Sequence, residues 1–371
     1  MLGLLRKEIG LVAGVVTAIA FTVAGKGWLS DLSGDPTTMA LFAWLFVVML
    51  WGSFGVVRHA DCLAIRLGEP YGTLILTLSV ISIEVIMISA VMLTGAQNPE
   101  LGRDMMFAVI MIVLNGLIGI SLLLGGLRHI EQRQNPLGAT TFLVVLIPLA
   151  CLALIMPNYT TATDVGTYST GQMIFLSVAT IVLYGGFLFI QTMRHSGYFV
   201  APAENVEHGV ATEIHDHGDL EVRSVAFHAV LLVSYMLPIV LLSKSMAKIV
   251  DFGIAGAGLP AALGGMLVAV LVLAPEGLAA IEAARANRLQ RSINICAGSA
   301  LATIGLTVPA VLGIGLVTGI PVRLGLDDAE AALLVITFFV GVVNSMSART
   351  NVIQGLVHLV LFATYIVLIF D

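Results

Sequence analysis

Glu84 and Glu276 are the two acidic residues that stand well inside long apolar stretches of this 371-residue sequence. At the centre of a bilayer a charged side chain costs about 2.5–3.5 kcal/mol on insertion scales, so such a residue normally faces the interior of a helix bundle and marks a function. Two carboxylates close together in a low dielectric cannot both stay ionised without compensation. Two protons neutralise the pair, and so does one divalent cation. The chemistry implied is competition between protons and a cation for one site. A body that reorients cheaply only when this site is neutral would carry one or the other, which amounts to exchange.

Further polar residues lie where they could complete the site. Asn115 sits at the middle of an otherwise apolar stretch, and Ser299, Thr303 and Thr307 recur every four residues, on one helix face. Thr73, Thr77 and Glu84 fall within about 20° of one another at 3.6 residues per turn. Pro275 immediately precedes Glu276 and removes a backbone donor, leaving a carbonyl free about one turn earlier. Calcium takes six to eight oxygens, and two glutamates, freed carbonyls, Asn115, Ser299, Thr303, Thr77 and water are the expected donors. Glu69 and Glu282 fall at the ends of the two key stretches, where they form either an outer cation funnel or ordinary helix-end contacts. His228 and His358 lie inside apolar stretches and read as hydrogen-bonded bundle histidines.

Lipid must be the solvent for most of the elements that hold these residues. Only 11% of residues are charged, 58% are hydrophobic and the mean hydropathy is +1.02, against about 25% charged in soluble domains. A spanning helix needs about 20 apolar residues. Windows of that kind fall at 9–25, 37–57, 71–95, 105–127, 138–156, 170–193, 224–243, 253–282, 292–318, 330–348 and 351–370, which predicts an all-α membrane protein with eleven transmembrane helices. No window alternates as a strand would. On the side of the N-terminus fall Arg6, Lys7, Arg58, Arg66, Arg128, Arg133, Arg194, Arg223, Arg285, Arg288, Arg291 and Arg349; only Lys26, Arg103, Lys244, Lys248 and Arg323 fall opposite. The bias predicts a cytoplasmic N-terminus and a periplasmic or extracellular C-terminus in a bacterial inner membrane.

Residues 196–223 are hydrophilic and divide the chain. The expected organisation is a first helix and loop over 1–36, five helices over 37–195, the linker over 196–223, and five more helices over 224–371. Each set of five crosses the membrane in the opposite sense to the other, the layout of an inverted repeat. Glu84 is then in the second helix of one set and Glu276 in the second helix of the other. Arg103 and Arg291 open the helices that follow, and twelve residues further on come Asn115 and Thr303. The linker gathers His208, Glu213, His215, Asp216 and His217, which read either as a solvated acidic loop or as a divalent-ion or pH-sensing element.

The residues from Leu67-Gly68-Glu69-Pro70-Tyr71-Gly72-Thr73-Leu74 through Glu84, with Ala274-Pro275-Glu276-Gly277, Asn287-Arg288-Leu289-Gln290-Arg291-Ser292 and Gly298-Ser299-Ala300-Leu301-Ala302-Thr303, resemble the bacterial ChaA-type calcium/proton antiporters. These form part of the cation/proton exchanger branch of the cation/calcium exchanger superfamily. The resemblance runs over nearly the whole chain. It implies Ca²⁺/H⁺ exchange, with Na⁺ or K⁺ carried in some members, and no cofactor. By that likeness Glu84 and Glu276 are the acidic residues of the two repeat motifs, and Asn115 and Ser299–Thr303 the polar positions that follow. The vacuolar exchangers of this branch carry Gly-Asn just before their acidic residues, where this chain has Ile81-Ser82-Ile83 and Leu273-Ala274-Pro275. That departure leaves room for sodium, and a Na⁺(K⁺)/H⁺ antiporter with little calcium transport is the alternative.

Other classes fit poorly. No HExxH, P-loop or Gly-Asp protease motif supports an intramembrane enzyme, and no basic cluster suggests nucleic acid. Cys62, Cys151 and Cys296 are scattered, without metal-ligand spacing. The expected partners are the lipid bilayer and inorganic cations.

Overall fold

A computed structural model describes residues 8–30, 32–33, 36–68, 71–94, 99–201 and 222–370. The chain is helical almost throughout. The long helices are α1 (Ile9–Val23), α2 (Pro36–Leu67), α3 (Tyr71–Thr94), α4 (Leu101–His129), α5 (Pro136–Leu154), α6 (Thr170–Arg194), α7 (Val225–Ala257), α8 (Ala262–Arg285), α9 (Leu289–Thr318), α10 (Asp328–Ser345) and α11 (Val352–Ile369). Among the described residues, nine helices are long and apolar enough to cross a membrane, and α1, with 15 residues, is shorter. Valine, isoleucine and phenylalanine stand exposed along the outer faces of α1, α6, α7 and α11. In water such surfaces would drive aggregation; against acyl chains they are in their own solvent.

Local chemistry sets the helix ends. Gly68 (φ +69°) ends α2, and Gly258 (φ +65°) ends α7, both in the left-handed conformation that closes a helix at low cost in glycine. Ser169 with Gln172 and Asn351 with Gln354 form capping boxes at the starts of α6 and α11.

Three expectations need correction. The window 224–243 stops too early and the window 253–282 starts too early. α7 runs on to Ala257, because exposed Lys244, Lys248 and Asp251 alternate with buried Leu242, Met246, Ile249 and Val250, so the face that packs is still apolar. α2 likewise continues ten residues past the window 37–57, to Leu67. Strand pairing, not expected at all, occurs once among the described residues. Gln132–Arg133 and Arg349–Thr350 form a two-residue antiparallel bridge between loops, too short to leave a periodic signature in sequence.

The connections gather at two opposite ends of the bundle. At one end Arg58 pairs with Glu8. There too the Gln132 side-chain amide donates to the Ala284 carbonyl at 2.7 Å, and the Asn135 N–H to Gln290 Oε1 at 2.6 Å. Asn294 donates to the Phe199 carbonyl, and Gln134 to the Asn344 and Ser347 carbonyls. At the other end the Arg323 N–H donates to the Pro99 carbonyl, Arg103 to the Gly325 carbonyl, and the Leu324 and Leu326 N–H groups to the Gly166 and Leu154 carbonyls. This is the grouping of loops on which the distribution of basic residues rests.

The core has two parts. The larger gathers side chains of α4, α5, α6, α9, α10 and α11. The smaller gathers α1, α2 and α7. α3 and α8 belong to both. α3 gives Ile81, Ile88 and Met92 to the larger part and Ile83 and Met87 to the smaller, and α8 gives Ala269, Leu273 and Ala280 to one and Leu271 and Val272 to the other. The helices that carry the two internal carboxylates are therefore a wall shared by two bodies.

Candidate functional site

Glu84, on α3, is 3% exposed. Its carboxylate is held from α9, where the Thr303 hydroxyl donates to Oε2 at 2.8 Å and the Thr307 hydroxyl approaches Oε1 at 3.4 Å. Ser299, one turn before Thr303, presents its hydroxyl to Glu276 on α8. Glu276 is half-buried, and its Oε2 is covered yet has no hydrogen-bond partner among the described residues. The two carboxylates lie within electrostatic reach of each other. One face of α9 thus serves both acids, through hydroxyls spaced at one helical turn. α8 continues as a helix through Pro275, so the Leu271 carbonyl has no N–H partner from position 275.

Asn115 is brought elsewhere. It lies in a π-helical turn of α4, Met111–Leu117, and is fully buried. Its amide donates to Thr337 Oγ1 at 2.8 Å and to the Met111 sulfur, and its carbonyl oxygen lies 3.1 Å from His358 Nδ1. His358 Nε2 in turn lies 2.8 Å from Asn344 Nδ2. The amide donor makes Nε2 the acceptor, so the ring proton sits on Nδ1 and is given to Asn115. Asn115 and His358 therefore close a polar chain among α4, α10 and α11, and among the described residues the Asn115 side chain hydrogen-bonds to Thr337, His358 and Met111 rather than to either carboxylate. His358 is the hydrogen-bonded bundle histidine expected of it. Glu282 is exposed in the last turns of α8, about 9 Å along the helix from Glu276 at 1.5 Å per residue. Glu69, the Thr77 side chain, and His208, Glu213, His215, Asp216 and His217 lie outside the described residues.

Two acids escaped the sequence reading because they fall just past the predicted windows. Asp61, in the final turns of α2, lies within electrostatic reach of Glu276 and of Arg291. Glu8, ahead of α1, is 8% exposed and tied to α2 and α7. A helical rather than hydropathic reading of α2 would have found Asp61, since Cys62 and Leu63 beside it are buried. Cys62, Cys151 and Cys296 are all free thiols.

Thr303→Val keeps the shape of the side chain and removes the donor to Glu84. A hydrogen bond to a charged group is worth about 1.5–3 kcal/mol, so the cation concentration for half-maximal proton release should rise about tenfold or more, while Thr303→Ser should stay close to wild type. Equal titrations for the two variants would remove Thr303 from the site.

An all-helical membrane body with two facing internal carboxylates, both served by one neighbouring helix, is built as an ion transporter of the exchanger class. The description "Sodium/calcium exchanger protein" matches over residues 37–193 and again over 227–370, and the chain belongs to that family. It is 40% identical to the sodium-potassium/proton antiporter ChaA of Escherichia coli K12 over 98% of this chain and 97% of that protein. It is 24% identical to a Ca²⁺/H⁺ antiporter of Synechocystis over 97% and 95% of the two chains. Among solved structures it shares its fold with native YfkE (TM-score 0.73, 18% identity, 98% and 99% covered) and with the H⁺/Ca²⁺ exchanger CAX (TM-score 0.67, 13% identity, 98% and 88% covered). The protein is a cation/proton exchanger, a transporter and not an enzyme.

Proposed function

We propose that this protein exchanges Ca²⁺ for protons across the bacterial inner membrane, with Na⁺ and K⁺ as competing cargo, by alternating occupation of Glu84 and Glu276. The observation that carries this reading is the placing of both carboxylates against the hydroxyl face of α9. Their four oxygens and the hydroxyls of Ser299, Thr303 and Thr307 make a set within the six to eight that calcium takes. Thr303 now donates to Glu84, and to serve a cation it would turn its proton away and offer a lone pair. Two protons and one Ca²⁺ neutralise the pair equally, so either allows the site to be reoriented through the low dielectric, and the empty, doubly charged site resists it. That gives antiport without a separate coupling device.

The eleven-span, one-plus-five-plus-five arrangement with inverted repeats belongs to this proposal. The family description matching twice, either side of residues 194–226, supports two related halves. The segregation of the loops to two ends, with most basic residues at the end that holds Glu8 and Arg58, supports a cytoplasmic N-terminus. Glu69 and Glu282 remain candidates for a cation funnel at that end, and the acidic and histidine residues of 196–223 for its regulation.

A second reading, exchange of Na⁺ and K⁺ with little calcium transport, is favoured by the 40% identity to a protein named for that activity. Inside-out vesicles loaded with a pH-sensitive dye separate the two. After acidification, Ca²⁺, Na⁺ and K⁺ are added in turn. Proton release on adding Ca²⁺ at micromolar levels supports the first reading; release only with Na⁺ or K⁺ supports the second, and no release with any of them defeats both.

A further inference from the structure

One face of α6 turns inward. Leu176, Thr180, Tyr184 and Phe187 are buried at helical spacing, while Phe175, Val178, Ile181 and Val182 of the same helix are exposed. Thr180 satisfies its hydroxyl on its own helix, through the Leu176 and Ser177 carbonyls. Tyr184 cannot do this, because its hydroxyl stands a whole ring away from its own backbone. The residue is 3% exposed, and its Oη is covered yet has no hydrogen-bond partner among the described residues. Tyr168 and Tyr235, buried as well, donate to the Leu152 carbonyl and to Glu8. A buried tyrosine hydroxyl normally finds such a partner, and one left without carries the full cost of desolvation.

The seat of the ring is built into α9. It lies on Gly305, two residues on from Thr303, where a Cβ would come within 2.7 Å of Tyr184 Cγ and 2.9 Å of its Cβ. Any side chain at 305 would push the ring away, and glycine admits it. The hydroxyl at the far end of the ring lies within electrostatic reach of Glu276. Glu276 Oε2 is itself covered and without a hydrogen-bond partner among the described residues. A hydroxyl and a carboxylate oxygen, complementary in kind, thus share one neighbourhood with neither satisfied. On the Glu84 side both oxygens are met by hydroxyls, of Thr303 and Thr307, whereas α9 offers Ser299 to Glu276.

We propose that the Tyr184 hydroxyl is a further cation-binding group of the exchange site, a neutral oxygen supplied by α6 on the Glu276 side that strengthens the site for divalent over monovalent ions. This rests on the reading that Glu84 and Glu276 hold the transported cation. Thr303 gives up its bond to Glu84 when it turns a lone pair to a cation. Tyr184 has no such bond to give up among the described residues. Its ring is already seated against α9, so little side-chain freedom is lost on binding. With Tyr184 the hydroxyls match the four carboxylate oxygens in number, which brings the set to the upper end of the six to eight that calcium takes.

Charge decides which ion gains most. A neutral oxygen attracts a cation through its dipole, and that attraction scales with the charge of the ion. Removing the oxygen therefore takes about twice as much binding free energy from Ca²⁺ as from Na⁺ or K⁺. A loss of about tenfold in affinity for the divalent ion corresponds to about threefold for the monovalent ones.

Tyr184→Phe keeps the ring on Gly305 and removes the oxygen alone. Calorimetric titration of the purified full-length protein and of this variant with CaCl₂, NaCl and KCl, at one fixed alkaline pH, reads the affinities. Thermal melting without cation reads the fold. The dissociation constant for Ca²⁺ should rise about tenfold and that for Na⁺ about threefold. The melting temperature should hold or rise, because the hydroxyl removed had no partner. Tyr168→Phe is the control; it loses the bond to the Leu152 carbonyl and should melt lower with wild-type affinities. Ca²⁺ binding by Tyr184→Phe within a factor of about two of wild type overturns the inference and leaves the exchange reading standing. A loss that is equal for Ca²⁺ and Na⁺, or one that comes with a fall in melting temperature, marks a change of packing and overturns it as well. So does a wild type that binds Na⁺ or K⁺ but not Ca²⁺. A wild type that binds none of the three ions overturns the exchange reading, and this inference with it.

Discussion

Glu84→Gln and Glu276→Gln should each lower Ca²⁺-driven proton release at least about 100-fold. With one carboxylate gone, a bound divalent cation leaves a net positive charge in the membrane interior, and a charge there costs about 2.5–3.5 kcal/mol, which by itself is two powers of ten in rate or affinity. The two losses should differ in kind. Glu84 is already hydrogen-bonded by Thr303 and Thr307, so an amide there keeps local contacts, and the variant should fold as wild type does. Glu276 presents a covered oxygen with no partner among the described residues. An amide nitrogen at that position would be a buried, unsatisfied donor, and a modest loss of thermal stability should accompany the loss of transport. Vesicle assays on the two variants, with thermal melting in detergent alongside, check both statements. Retention of more than about half the wild-type rate by either variant, where a factor of 100 is expected, would mean that its carboxylate is not part of the transported charge.

Gly355→Ala should be clearly destabilising, because the contacts an added methyl would make are with backbone. A Cβ on Gly355 would lie 2.6 Å from the Leu123 backbone nitrogen, 2.9 Å from the Gly119 carbonyl oxygen and 3.0 Å from Leu123 Cα. These are backbone atoms of α4 and cannot rotate away, so α11 must move off α4. Overpacking of this kind costs about 1–3 kcal/mol. The same displacement would stretch the bond between His358 and Asn115. Gly341→Ala is the control, because its nearest neighbours are the Leu143 methyl groups at 3.7 and 3.8 Å. The melting temperature of Gly355→Ala should fall by several degrees and that of Gly341→Ala should not. Two variants melting within about a degree of each other would show that α4 and α11 are not in close register, since 1 kcal/mol moves a mid-sized domain by about 2–4 °C.

Much of this arrangement was legible in the sequence, for reasons that can be named. Lipid imposes long apolar runs, and the two acids inside such runs had nowhere to go but the interior. The four-residue spacing of Ser299, Thr303 and Thr307 predicted one shared face, and that face meets Glu84 and Glu276. Asn115 was legible as a buried polar residue but not as to its partners. A π-turn changes the angle between successive side chains, and Thr337 and His358 come from helices more than 200 residues away. His59 and Glu8 were hidden for another reason. Hydropathy sees α2 end near Arg58, but a helix whose polar residues find partners on neighbouring helices continues past that point, and the pairing of His59 with His228 crosses 169 positions. Linear patterns report what one helix needs from its solvent; they are silent on which helix will meet that need.

The connections at the two ends of the bundle carry a further implication. Gln132 to Ala284, Asn135 to Gln290, Asn294 to Phe199, the strand bridge between 132–133 and 349–350, Arg323 to Pro99 and Arg103 to Gly325 all join residues before 202 to residues after 221. The helices interleave as well, α2 with α7 and α9 with α3. The peptide chain between the two stretches is the one connection that none of these bonds needs. Considered as an assembly, the two stretches are held to each other by the same kinds of bond that join separate subunits.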